Sequence, residues 1–447
     1  MTIKEQPKEM TRRQFLSTVG KVGGSVAVFS LMGTMGLLSP ETMKAAEYEP
    51  PGLNDLHLSG RGGKKIIILG AGIAGMTAAY ELGLAGYDCT ILEAKSRAGG
   101  RCWTVRGGTS EAEIGSGTQT SRFDKGLYFN AGPMRIPQFH VTLEYCRKFG
   151  VAIEPFNNVN ESGYYYNENV GALSGQKVPK RAAKADVRGY VAEMLAKAVD
   201  QNALDLPLTA EEKMKLVDYL KVEGDLNPDL FYKGSQRGGY KDEPGSRLDA
   251  GVLRDPFDLK SIINSGFGKY FSNEYEYDQQ MMMFHPIGGM DAIAKAFEKR
   301  VGNRIKFRAE VKEIRQSSSG VRIVYTDMAS GREQEVKGDY CICTIPLSVL
   351  KKIPADFSPE MSKAIQSINY ASAGKIGLQF KRRFWEEDEH LYGGSSLTNM
   401  DITQIYYPPT DYFGKKGVLL GYYAYGGVAD KLGAMSYAER EKLAAKF

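Results

Sequence analysis

The chain predicts an α/β fold in which a βαβ nucleotide clamp is joined by a mixed-sheet domain and an inserted helical domain. Three observations carry that expectation. An apolar run from Ile66 to Leu69 leads directly into Gly70-x-Gly72-x-x-Gly75 and an alanine-rich stretch, the strand, turn and helix that open a Rossmann-like unit. Residues 155–285 lose strand character and carry apolar groups at helical spacing. From Ile305 onward apolar alternation and continuous apolar runs return, which reads as sheet.

Each part of the clamp has a physical reason. The first glycine permits the tight turn, the second lets backbone approach a pyrophosphate, and the third lets the helix lie close to the strand. The helix N-terminus offers free N–H groups and the positive end of its dipole to the phosphates. A second strand ends in Glu93, at about the 20-residue spacing from which an acid accepts hydrogen bonds from a ribose. A lone GxGxxG is a weak signal, but strand, helix, second strand and acid together point to a nucleotide cofactor.

The remaining elements follow in chain order. Gln138 to Phe149 has helical spacing and ends at Gly150. Val187 to Val199 and Glu211 to Val222 read as helices, the second opened by the capping-box pattern Thr209-x-x-Glu212. Lys306 to Ile314 and Val321 to Thr326 flank Ser317 to Gly320 as a hairpin, and Tyr340 to Ile345 is a nearly continuous apolar run. Two strands, Lys375 to Phe380 and Val418 to Tyr425, come next, and Ser436-x-x-Glu439 opens a last helix.

Composition narrows the class. With 447 residues, more than one domain is expected. The balance of 42% hydrophobic and 25% charged residues is that of a folded globular chain. Much of the net charge of +5 sits in residues 1–46, so the rest carries no electrostatic footprint for nucleic acid. The five cysteines, Cys89, Cys102, Cys146, Cys341 and Cys343, form neither a disulfide framework nor a zinc spacing and read as core residues. No metal site is expected. At the N-terminus, Arg12-Arg13-Gln14-Phe15-Leu16 precedes a mildly apolar stretch from Val22 to Leu38 and the small residues Ala45 and Ala46. This resembles a bacterial twin-arginine signal, whose implied partner is the twin-arginine export machinery and whose implied destination is secretion or the cell envelope; Lys44 spoils the usual small residue before a cut at Ala46, so a signal for unfolded export or an uncleaved anchor is the alternative.

One further motif, Arg97-x-Gly99-Gly100-Arg101 after Glu93, is where the chain comes to resemble the flavin-dependent amine oxidases. Supporting it are Gly132-Pro133-Met134-Arg135-Ile136-Pro137, Gly288-Gly289-Met290-Asp291, Val311-x-x-Ile314, Asp339 to Pro346, and Lys375-x-x-x-x-Phe380 leading to Phe384-Trp385-Glu386. Within that family, Gly132 to Arg135 and the long insert resemble L-amino-acid oxidases more than oxidases of plain amines. The resemblance implies FAD, with Ile73 and Ala74 offering backbone near the pyrophosphate, Glu93 and Ala94 holding the adenosine ribose, Arg101 supplying charge near the diphosphate and Val311 lying at the adenine; by themselves Arg101 also reads as a solvated surface arginine and Val311 as a strand core residue. It also implies that Arg135 grips a substrate α-carboxylate, which a planar guanidinium matches bidentately; an internal salt bridge is the alternative. Tyr422 falls where the family places a tyrosine on that carboxylate, although Tyr423 and Tyr425 leave the register open and an aromatic strand core is an equal alternative. Lys375 is implied to hold a water at the flavin N5, against the alternative of a surface lysine. His140 and His285 read as structural or peripheral.

By that resemblance, hydride passes from the substrate Cα to the flavin, the imine hydrolyses to a 2-oxo acid and ammonia, and dioxygen reoxidises the flavin to give hydrogen peroxide. Alternatives are a monoamine or polyamine oxidase, an amino-acid monooxygenase, or a non-catalytic flavin-fold protein. A homodimer is left open. The domains expected are a signal segment (1–46), a linker (47–63), a first part of the FAD-binding domain (64–154), a helical insert (155–284), a second FAD-binding part (285–350) and a substrate-binding sheet domain (351–447). Family members continue past the position of Phe447, so the expectation is that this polypeptide holds FAD poorly unless that part is supplied.

Overall fold

The structure is a computed structural model that describes residues 63–113, 117–246, 248–272 and 276–446. The signal segment and nearly all of the linker lie outside the described residues. Contacts divide the described residues into two compact units, one formed by those up to Ala98 with Phe297–Tyr370, the other by those within Gly99–Ala296 and from Ala371 onward. These boundaries differ from those drawn on the sequence: the helices of the insert fall in the same unit as the second sheet.

The first unit is built on a parallel sheet ordered Ile305–Lys306, Asp88–Leu92, Lys65–Leu69, Tyr340–Cys343. Ile67, Ile68 and Leu69 are fully buried, as a parallel strand covered on both faces requires, each contributing about 2 kcal/mol of transfer energy. The helix Ile73–Leu84 follows that strand. Beyond the sheet, Ala309–Ser317, Gly320–Asp327 and Arg332–Gly338 form an antiparallel meander, so the predicted hairpin is present, its first strand beginning at Ala309 because Lys306 belongs to the parallel sheet, and its second running one residue further at each end than expected. Leu69, Leu92, Val311, Ile314 and Ile323 join in one core.

The second unit carries a six-stranded mixed sheet ordered Ala373–Phe380, Gly417–Tyr425, Gln404–Tyr406, Ser395–Thr398, Tyr164–Tyr166, Val178–Pro179. Its helices include Lys180–Asp200 and Ala210–Gly224. Thr209 accepts from the Glu212 N–H and Glu212 accepts from the Thr209 N–H, completing the predicted capping box. The same reciprocal pair, Ser436 and Glu439, opens Tyr437–Ala445. Thr142–Phe149 ends on Gly150 in the left-handed region.

Two expectations are corrected. Residues 155–285 contain strands after all: Tyr164–Tyr166 enters the large sheet, and Met282–Pro286 pairs antiparallel with Ile153–Asn157. Such short strands are held by partners distant in sequence and show little alternation of their own. The second correction concerns Cys343, which is exposed while Cys89, Cys102 and Cys146 are buried; it sits at the C-terminal end of an edge strand, where burial lapses. Among the described residues, no helix is long and apolar enough to cross a membrane, and no three His, Cys, Asp or Glu side chains gather as a metal site.

Candidate active site

In the first unit the clamp is formed as a cradle. Gly70 adopts φ +102°, a conformation that costs little only for glycine. A Cβ on Gly75 would lie 2.0 Å from the Gly70 carbonyl oxygen, so the helix could not sit this close to the turn with any side chain there. A Cβ on Gly72 would meet nothing within 4 Å: the space in front of the turn is open. Gly72 is the N-cap, with no side-chain cap and no acidic residue in the first turn. The N–H groups of Ile73, Ala74 and Gly75 therefore face an anion-ready space, and Ala74 is exposed there.

Glu93 is buried and fixes the turn. Its Oε2 accepts from the Ala71 N–H at 2.7 Å and its Oε1 from the Lys95 N–H at 2.8 Å, leaving acceptor capacity on each oxygen. Ala94 beside it is exposed. Val311 puts its side chain into the core, at a bulge in its strand. These residues fit a dinucleotide: an uncapped helix start, an open approach over Gly72, and a fixed carboxylate.

In the second unit, Gly132 packs so closely on the Arg101 carbonyl that a Cβ would lie 1.8 Å from it. The Arg101 side chain is exposed and makes no ion pair among the described residues. Pro133 is exposed and Met134 buried. Arg135 follows, half-buried. Its Nη2 donates to Gln279 Oε1 at 2.7 Å, its guanidinium carbon lies 5.2 Å from the centre of the Tyr406 ring, and its Nε is buried without a partner. No carboxylate pairs with it among the described residues, so the internal salt bridge is absent.

Lys375 donates from Nζ to the Gly132 carbonyl and lies 4.4 Å from the centre of the Tyr423 ring, its cross-strand partner. Burial, with the Arg135 charge second, pulls its pKa down to about 7. It is no surface lysine. The chain thus brings Arg135, Lys375, Gly132, Tyr406, Tyr423 and Tyr425 together; Tyr425 packs on Tyr423 at 4.6 Å and feels the charge of Arg135.

Tyr422 is not brought to Arg135. It is 2% exposed, packs with Ile402, Ala424 and Ala429, and turns its hydroxyl toward Arg440. Tyr406 and Gln279 were missed on the sequence. Gln279 lies in a polar stretch with no pattern, but Tyr406 precedes Tyr407-Pro408-Pro409, an aromatic pair before a turn signal that marks a strand end. His140 accepts from the Thr142 N–H at 3.2 Å, at the start of its helix.

Comparison with known proteins places these residues in context. A family model for flavin-containing amine oxidoreductases matches residues 73–446. An L-amino-acid oxidase of Demansia vestigiata is 30% identical over 375 residues, covering 80% of this chain and 66% of the relative. Another, of Bothrops pauloensis, is 30% identical over 379 residues, with 80% and 67% covered. The chain thus spans about two thirds of the length of these relatives. Among solved structures, a putrescine oxidase variant with redesigned cofactor binding superposes with a TM-score of 0.52 at 16% identity, covering 85% of this chain and 79% of that one. Wild-type putrescine oxidase bound to putrescine gives 0.50 at 17%, with the same coverage; both speak for the fold.

Proposed function

The chain belongs to the flavin-containing amine oxidoreductases, a family that binds FAD, and from that premise we propose that it oxidises the α-amino group of L-amino acids. One observation carries the choice of an amino acid over a plain amine. Arg135 is a half-buried cation with no carboxylate partner among the described residues, held in place by Gln279 and the Tyr406 ring. Placing a permanent charge there is costly unless something anionic completes it. A substrate α-carboxylate does so. The relatives at 30% identity are named L-amino-acid oxidases, which supports the same reading.

The residues divide the work. Ile73, Ala74 and Gly75 would meet the pyrophosphate of FAD with N–H groups and Glu93 would hold a ribose hydroxyl. When bound, FAD supplies the two-electron acceptor for the hydrogen on the substrate Cα. Arg135 orients that carbon by fixing the carboxylate. Only a neutral amine releases the electrons of the adjacent C–H bond, so a proton must leave nitrogen. Lys375, poised at about 7, holds or releases a proton at Nζ near neutral pH, and its bond to Gly132 fixes where that nitrogen stands.

Replacing Arg135 by Met tests the reading. The expected outcome is a KM raised by about 100-fold for L-amino acids, from loss of a charge-assisted bidentate pair worth about 3 kcal/mol, with amines lacking a carboxylate spared. Peroxide release over both substrate panels measures it. Equal loss on both would remove the case for carboxylate recognition.

A further inference from the structure

A cavity of about 530 Å³ lies within the second unit, lined by neither Arg135 nor Lys375. Its walls are largely aromatic and apolar, with Phe129, Phe156, Tyr406 and Leu420 among them. Among the polar residues that also line it, three stand out. His285 is 2% exposed and its Nε2 has no hydrogen-bond partner; the Tyr128 hydroxyl is likewise buried, with the Thr410 side chain beside it and no well-formed hydrogen bond. Glu154 is the third.

Glu154 and His285 stand directly opposite each other in the antiparallel pair Ile153–Asn157 and Met282–Pro286, which sets both side chains on one face. Their nearest approach is 3.4 Å, from Glu154 Oε1 to His285 Nε2, without hydrogen-bond geometry. Burial pulls the His285 pKa down to about 4 and pushes that of Glu154 up. The imidazole is neutral at pH 7 and does not balance the carboxylate. The other charges at the cavity are spoken for or peripheral. Arg383 is buried against Glu386 at 2.6 Å and donates to the Thr410 carbonyl at 2.8 Å. Lys125 and Asp411 stand exposed at the rim with opposite signs.

We propose that this cavity binds a small primary alkylammonium ion, its head on Glu154, His285 and Tyr128 and its chain against the apolar wall. The chemistry of the three groups specifies the ligand. Glu154, whose side chain is 31% exposed, has no Lys or Arg partner among the described residues and so favours a positive charge, and a neutral imidazole nitrogen and a phenol oxygen can each accept one N–H from an ammonium that carries three. Aromatic faces around the site favour a cation over a neutral group of the same shape. An anion is excluded by Glu154. A purely apolar ligand would leave His285 and Tyr128 unsatisfied.

The test is calorimetric titration of the full chain at pH 7 with n-butylammonium chloride and, separately, n-butanol. Saturable binding of butylammonium is expected, at least tenfold tighter than butanol. Glu154→Gln, which keeps the shape, should weaken butylammonium at least tenfold and leave butanol unchanged. Tyr128→Phe removes only a hydroxyl and should weaken butylammonium about threefold, which keeps the test open if the first variant folds poorly. No saturable heat from butylammonium would overturn the proposal. So would equal binding of butanol, or butylammonium binding that neither substitution changes.

Discussion

Replacing Lys375 by Met should stabilise the protein at neutral pH, and by an amount that disappears in alkali. The lysine titrates near 7 in the folded chain against 10.5 ordinarily, because burial and then the Arg135 charge disfavour its ammonium form. Between those values the unfolded chain holds a proton that the folded chain lacks, so wild-type stability rises with pH through this window and is flat and lowest below about 7. The full shift would correspond to about 4–5 kcal/mol. Lys375 keeps some contact with solvent, and halving the figure for screening leaves about 2 kcal/mol. Losing the bond to the Gly132 carbonyl takes back about 1 kcal/mol. The variant should therefore unfold at higher urea at pH 6–7, match wild type near pH 9, and fall behind it above pH 10. Urea midpoints across that range measure the crossing. A difference between the two proteins that does not change with pH would refute the premise that a buried, discharged amine is kept there at a cost to stability.

Three other outcomes are expected. Gly75→Ala would gain about 1 kcal/mol of helix propensity, but its methyl, 2.0 Å from the Gly70 carbonyl, forces the backbone apart; a net loss of about 2 kcal/mol is expected by denaturation, whereas Gly433→Ala, with open space around it, should lose nothing. Glu93→Gln sets an amide N–H against one of the two backbone donors the carboxylate now satisfies. FAD affinity, followed by flavin fluorescence, should fall at least tenfold, with about 1–2 kcal/mol of stability. We also propose that the N-terminal segment exports the chain folded: changing Arg12 and Arg13 to lysine should retain the protein in the cytoplasm, and an unchanged extracytoplasmic fraction would count against it.

The parts legible in the sequence are those whose physics is local. The glycine turn, the apolar strand before it and the two capping boxes each depend on residues within a few positions, and each stands where its pattern put it. Arg135 and Lys375 were singled out by the motifs that resemble the flavin amine oxidases, and not by any local pattern of their own. Their surroundings were not legible: Gln279 reaches Arg135 from a stretch with no periodicity, and the short strands at Tyr164–Tyr166 and Met282–Pro286 exist only because distant partners pair with them.

The tyrosine beside Arg135 shows the limit most sharply. Strand alternation counted from Leu420 puts Tyr422 on the same face as that leucine, and Leu420 does pack with Met134 and Tyr406 on the Arg135 side. Yet the ladder pairs Ile376 with Tyr422 and Gly377 with Leu420, so Gly421 is left over as a bulge. One extra residue reverses every side chain beyond it. Tyr423 thereby joins Leu420, while Tyr422 turns to the opposite core and to Arg440. A glycine inside a strand run is the signal of such a bulge, and Gly421 was there to be read; with it the alternation assigns Tyr423 and Tyr425 to Lys375 and Arg135. Tyr406 comes from a neighbouring strand, and only the sheet order brings its ring over the guanidinium.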